Sequence, residues 1–91
     1  MTLQDLEGFL KTLVPSNVEI EPGANDMIRA FDHTGDAEVY LKYSGGLDFS
    51  LQGVRNGEKK DTKVFSFRNE HEMISILAPK FLECIDGERR L

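Results

Sequence analysis

The sequence has one cysteine, no long apolar run and no signal for secretion. Because Cys84 is the only cysteine, an internal disulfide and a multi-cysteine zinc site are both excluded. Its apolar neighbours predict a buried, unreactive thiol. No apolar run approaches the roughly 18 residues that a membrane-spanning helix needs. The N-terminus lacks the features of a signal peptide and no Asn-x-Ser/Thr site is present, so we expect a cytoplasmic protein.

Signatures of catalysis and ligand binding are also missing. There is no glycine-rich phosphate loop, dinucleotide fingerprint, zinc-protease motif or nucleophile elbow. The two histidines, His33 and His71, have acidic neighbours but no metal-ligand spacing. We therefore expect no enzyme activity, no metal and no cofactor. An enzyme or metal protein assembled from distant residues stays as an alternative.

Basic residues are scarce in the first half of the chain. The 91 residues, which we expect to form a single domain over 1–91, contain 16 acids and 11 bases, for a net charge of −5. Residues 1–50 hold nine acids against Lys11, Arg29 and Lys42, whereas residues 51–91 have a net charge of +1. A sequence pI near 4.9 argues against binding to nucleic acid or to an anionic membrane. A basic protein surface is the favoured partner.

The first predicted element is an amphipathic helix. Its apolar stripe has spacings of three and four residues, and consists of Leu3, Leu6, Leu10 and Leu13. Thr2 is the expected N-cap, and Pro15 is expected to end the helix. The stripe could pack on the protein's own sheet or form the seam of a dimer.

Short alternating segments follow, separated by turn residues. The candidate strands are 18–21, 27–33, 37–43, 47–52 and 64–67. In 27–33 the inward face could be formed either by Met27, Arg29 and Phe31 or by Ile28 and Ala30. A turn is expected at Thr34–Asp36, and Asn56-Gly57 predicts a two-residue hairpin turn. Val54 breaks the alternation after Gly53, which suggests a bulge or a local twist.

A second helix ends the predicted fold. Asn69 and Glu72 have the spacing of a capping box, and Pro79 should kink or split the helix. Gly87 is expected to end it, leaving residues 88–91 as a frayed tail. Because every link between strands is short, the sequence predicts an α+β fold with a four- or five-stranded antiparallel meander. Both helices should cover one sheet face in a two-layer arrangement.

The other sheet face is the candidate binding site. Alternation places an aromatic anchor among acids there, and the candidate protein-binding residues are Glu19, Glu21, Glu38, Tyr40 and Asp48, with Asp32 as a further acid. These acids could form a docking surface for a basic protein, or could serve only as a solvated face. The hairpin tip at 55–60 could contact phosphate or an acidic partner, or could only protect an edge strand.

By size, charge and lack of a catalytic site, the chain resembles small acidic accessory proteins of phages and mobile elements. These include inhibitors of host nucleases or immune complexes, of the anti-CRISPR type, and toxin-neutralising immunity proteins. The resemblance implies a stoichiometric inhibitor of a nuclease or nucleic-acid-binding complex. A homodimeric adaptor or secretion-type chaperone is the alternative.

Overall fold

A computed structural model describes residues 2–33 and 36–89 of the chain. In chain order its elements are α1 (Leu3–Lys11), β1 (Val18–Gly23), β2 (Met27–Asp32), β3 (Ala37–Gly45), β4 (Asp48–Arg55), β5 (Glu58–Lys59), β6 (Lys63–Ser66) and α2 (Glu70–Arg89). The turn predicted at Thr34–Asp36 and the tail predicted at 88–91 lie partly outside the described residues. The α+β order of helix, meander and helix is confirmed.

Local hydrogen bonds define both ends of α1. The Asp5 amide donates to Thr2 Oγ1 at 3.1 Å and the Thr2 amide donates to Asp5 Oδ2 at 3.0 Å, which completes a capping box. The Thr2 amide also keeps the pKa of Asp5 below its usual value. At the other end, the Leu13 amide bonds to the Leu10 carbonyl at 3.0 Å. This tighter turn ends the helix before Pro15, so Leu13 lies beyond α1 and is exposed.

All six strands belong to one antiparallel sheet, in which β1 to β4 follow one another as a meander. The β3–β4 register pairs Val39 with Gly53 and Leu41 with Leu51, and it stays regular as far as Arg55. Val54 therefore points away from the helices because of ordinary alternation, and the bulge predicted there is wrong. Glycine simply occupies the inward position before it.

Near Val54 the pairing is irregular on the other side of β4, in the chain segment that returns from the hairpin. Val54 pairs with Lys59 in β5, whereas Leu51 pairs with Lys63 in β6, so three steps along β4 face four steps along the returning arm. One extra residue between Lys59 and Lys63 thus divides the last strand into β5 and β6. The hairpin turn itself is as predicted, because Asn56 and Gly57 both have positive φ, at 50° and 80°.

The core lies between the sheet and the two helices. α1 packs mainly on β1, and α2 packs on β3 and β4. The fully buried side chains on the helices include Leu6, Leu10, Leu77, Phe81 and Ile85, and they meet Ile28, Val39, Leu41 and Leu51 from the strands. Both helices therefore cover the same sheet face, and burial of Leu6 and Leu10 removes them from any dimer seam.

The second helix runs without a break from Glu70 to Arg89, through Pro79 and past Gly87. Asn69 caps the helix as predicted, since the Glu72 amide donates to Asn69 Oδ1 at 2.8 Å, whereas the Glu72 carboxylate accepts a hydrogen bond of 3.2 Å from Arg68 Nε. Of the two predicted outcomes at Pro79, the split does not occur, and a kink there stays a prediction. Pro79 lies on the exposed side, where water can satisfy the carbonyl that lacks a donor, while Leu77, Ala78 and Phe81 anchor the helix on either side.

Candidate functional site

The sheet face opposite the helices carries the candidate site, and we call it the open face. Strand register places all five candidate residues on it, namely Glu19, Glu21, Glu38, Tyr40 and Asp48. Asp32 does not lie on the open face, so its predicted place among the outward acids is wrong. It shares the inward side of β2 with Ile28 and Ala30 and is buried, because residues two apart on a strand point to the same face.

Arg29 lies at the centre of the open face and connects two of the candidate acids. Its Nη1 donates to Glu21 Oε1 at 2.8 Å, and its Nη2 donates to Glu38 Oε1. Tyr40 donates its hydroxyl to the second oxygen of Glu38 at 2.9 Å. The Arg29 guanidinium also lies over the Phe31 ring, 4.2 Å from its centroid. These contacts form one ordered network, which we call the Arg29 network.

The geometry of the Arg29 network determines the ionisation of Glu38 and Arg29. The hydrogen bond from Arg29, supported by the Tyr40 hydroxyl, holds the pKa of Glu38 below its usual value. The same bond raises the pKa of Arg29. Both side chains are only partly exposed, so the pair is less screened by water than an ordinary surface pair. The Arg29 network is therefore charged at neutral pH.

The outer acids of the open face are more accessible. The side chains of Glu19 and Glu21 on the edge strand β1 are 59% and 49% exposed. Glu19 lies 3.2 Å from His33 Nε2, and Asp48 accepts a hydrogen bond of 2.8 Å from Ser66 Oγ. Because Arg29, Lys42 and Lys59 share the face, the acids form an alternating pattern with bases rather than a uniform carboxylate field.

A shallow pocket of about 380 Å³ opens on the same face beside the Arg29 network. Its walls include Met27, Glu38, Tyr40 and Gln52, and the β4–β5 hairpin closes one side. The side-chain amide of Gln52 donates through Nε2 to the Lys60 carbonyl at 3.0 Å, and this bond fixes the chain segment that follows the hairpin. Val54 is only 6% exposed although it lies outside the main core. The pocket thus combines apolar surface with a fixed carboxylate and phenol.

Sequence reasoning missed Arg29 and Val54 as members of the site. The sequence marks Arg29 only as one of three bases in residues 1–50, because strand 27–33 can be assigned to the sheet in either phase. The burial of Ile28 and Ala30 places Arg29 on the open face. In the sequence, Val54 only indicates an interruption of the strand alternation. Its correct role needed the register of β4 against β3, which a single sequence does not fix.

The described residues contain neither a metal-ligand cluster nor a membrane-spanning helix. Among residues 2–33 and 36–89, no three His, Cys, Asp or Glu side chains are grouped so that they could hold a metal ion. Cys84 is half-buried against the core on α2. No helix within those ranges is long and apolar enough to cross a membrane. Comparison of the chain with protein-family models, curated proteins and solved structures gave no significant match. The site therefore has to be interpreted from its own geometry.

Proposed function

We propose that this chain is a non-catalytic protein-binding domain that docks on a basic protein surface through its open face. In its specific form, it acts as a stoichiometric inhibitor of a nuclease or of another nucleic-acid-binding complex. Such a partner carries a basic surface shaped for phosphate, and an ordered set of carboxylates can occupy that surface in place of nucleic acid.

The Arg29 network is the observation that carries this proposal. Its hydrogen bonds fix Glu21, Glu38 and Tyr40 before any partner arrives, so little side-chain freedom remains to be lost on binding. A face that serves only to keep a protein soluble does not need such order. The accessible acids at the β1 edge would steer a basic partner towards it.

The pocket beside the network supplies a site for a hot spot. Met27 and Tyr40 contribute partly exposed apolar surface to its lining, and contacts of this kind dominate binding energy when water is excluded around them. Charged residues around the pocket would set orientation and association rate. The low pI disfavours nucleic acid and membrane surfaces as direct partners.

The test begins with capture of partners from the natural source and continues with the purified partner. Calorimetry should give one-to-one binding that weakens as salt rises, and nucleic-acid binding by the partner should fall in proportion to added protein. Glu19→Lys and Asp48→Lys should each weaken the affinity by about threefold to tenfold at low salt.

The matched control is Asp61→Lys, which makes the same change of charge in the exposed arm between β5 and β6. It should leave the affinity close to that of the unchanged protein. Equal effects of all three substitutions would show that net charge, not the open face, governs binding. An affinity that is insensitive both to salt and to Glu19→Lys and Asp48→Lys would refute the proposal.

A further inference from the structure

The strand β6 forms an edge of the sheet, with β4 as its only partner among the described residues. The Phe67 amide donates to the Leu47 carbonyl at 3.1 Å, which identifies that pair as a hydrogen-bonded one. In an antiparallel ladder such pairs alternate, so Phe65 and Lys63 also bond to β4. The N–H and C=O groups of Val64 and Ser66 must then point away from the sheet.

The side chains of this edge are unusual for a protected edge strand. Val64 is 76% exposed, and it lies on the open face beside two outward-pointing backbone groups of its own. On the opposite face, Phe65 stacks on Phe67 with ring centroids 6.0 Å apart. Charge and a bulge, which usually protect natural edges, are found here only before and at Lys63, while the centre of the strand presents apolar side chains.

The flanks of β6 are basic. Residues 55–68 contain five bases and two acids, a net charge of +3 in a chain whose total is −5. Lys59, Lys60 and Lys63 are exposed, and within the described residues none of them takes part in an ion pair. An incoming strand therefore meets unsatisfied backbone groups between unneutralised positive charges.

We infer that the β6 edge binds an acidic segment of a partner protein in extended conformation, as an added strand of the sheet. Main-chain hydrogen bonds to Val64 and Ser66 supply the alignment, and apolar side chains of the segment pack on Val64. Its carboxylates lie near Lys60 and Lys63. This site has the opposite charge preference to the open face, and it does not depend on the function proposed there.

The probe is a synthetic peptide, acetyl-Glu-Val-Glu-Val-Glu-Val-Glu-amide, and the control peptide has Lys in place of every Glu. In amide NMR spectra the acidic peptide should shift the signals of residues 63–67, and its binding should weaken as salt is raised. The basic peptide should leave those signals in place. Shifts confined to other parts of the protein, or equal binding of both peptides, would overturn the inference.

Two variants localise the binding. Val64→Pro removes an N–H that points away from the sheet, so the β4–β6 ladder keeps its hydrogen bonds while the edge loses a donor. Binding of the acidic peptide should fall by about twofold to tenfold, as the loss of one well-placed hydrogen bond implies. Circular dichroism checks that the variant folds. Unchanged binding by the folded variant rejects the added strand.

Lys63→Glu tests charge without touching the backbone. It should weaken the acidic peptide severalfold, while Lys11→Glu, the same change on α1 at the opposite end of the sheet, should have little effect. If Lys63→Glu and Lys11→Glu weakened binding equally, net charge and not the β6 edge would account for the binding of the acidic peptide. Light scattering decides the remaining case, because association of the protein with itself through Val64 would mean that a second copy, and not an acidic partner, occupies the edge.

Discussion

Arg29 and Glu38 are joined diagonally across β2 and β3, since the register pairs Arg29 with Tyr40 and Glu38 with Phe31. The diagonal reach lets the guanidinium cover the Phe31 ring while it bonds to the carboxylate. Tyr40, directly opposite Arg29, donates to the same carboxylate. Two neighbouring cross-strand pairs thus become one unit, and this unit fixes the charges at the centre of the open face.

Replacement of Glu38 by Gln should lower the unfolding free energy by about 1–3 kcal/mol at neutral pH, because Arg29 loses a charged acceptor. The lowered pKa of Glu38 also predicts a pH dependence. Its stabilisation is complete above the ordinary value of 4.5 and is lost as the pH falls through the lowered folded-state pKa.

Urea unfolding across pH 7 to about 2 measures both effects. The unchanged protein should lose stability below about pH 4.5, and Glu38→Gln should reduce the slope of that loss. Glu58→Gln, an exposed hairpin carboxylate, is the control for a simple change of charge. Identical slopes for Glu38→Gln and the unchanged protein would contradict the role given to this pair.

Adjacent residues on α2 should respond very differently to truncation. Leu77 is 0% exposed and Ile76 is 40% exposed. Leu77→Ala should lower the unfolding free energy by about 2–5 kcal/mol, because it leaves a cavity between α2 and the sheet. Ile76→Ala should change it by no more than about 0.5 kcal/mol. Similar losses for the two would mean that α2 is rotated on the sheet.

Alanine should have opposite effects at two glycines. Gly57 has φ near +80°, so Gly57→Ala strains the hairpin and should lower stability by about 1–2 kcal/mol. Gly8 lies inside α1 with open space around its missing Cβ, so Gly8→Ala should raise stability by up to about 1 kcal/mol. Thermal unfolding of the two single variants checks the sign, and a stabilising Gly57→Ala would rule out the turn.

Pro79→Ala should stabilise the protein, because alanine restores the amide that bonds to the Ser75 carbonyl and removes the ring that crowds it. Part of the gain is offset by greater freedom of the unfolded chain, so we expect a net increase of about 1–2 kcal/mol. Chemical denaturation measures it. A destabilised Pro79→Ala would show that the proline ring packs on the core rather than facing solvent.

Features encoded by neighbouring residues were predictable from the sequence. The cap at Thr2, the cap at Asn69 and the Asn56-Gly57 turn each depend on side chains within four residues, and all three are confirmed. Alternation along β3 and β4 likewise assigned the faces of Glu38, Tyr40 and Asp48. The fold class followed from short links between strands, which leave no room for a crossover helix.

Features that depend on contacts distant in sequence were not predictable. Asp32 was placed on the wrong face because its strand could be read in two phases, and only the burial of Ile28 and Ala30 selects one. The offset between β5 and β6 requires the pairing of both with β4. The Arg29 network joins three strands, so Arg29 is separated by eight and nine residues from the carboxylates of Glu21 and Glu38 to which it donates.

Alternation along the strands also separates the residues that hold the core together from the residues that form the open face. Most inward positions of β2 to β4 belong to the core beneath the helices, while the positions between them reach the open face; these inward residues are Ile28, Ala30, Val39, Leu41, Phe49 and Leu51. A substitution at an exposed outward position such as Glu19 changes the chemistry of the open face while the core residues stay the same. Outward positions inside the Arg29 network have less freedom, because a change at Glu38 also removes a charged partner of Arg29.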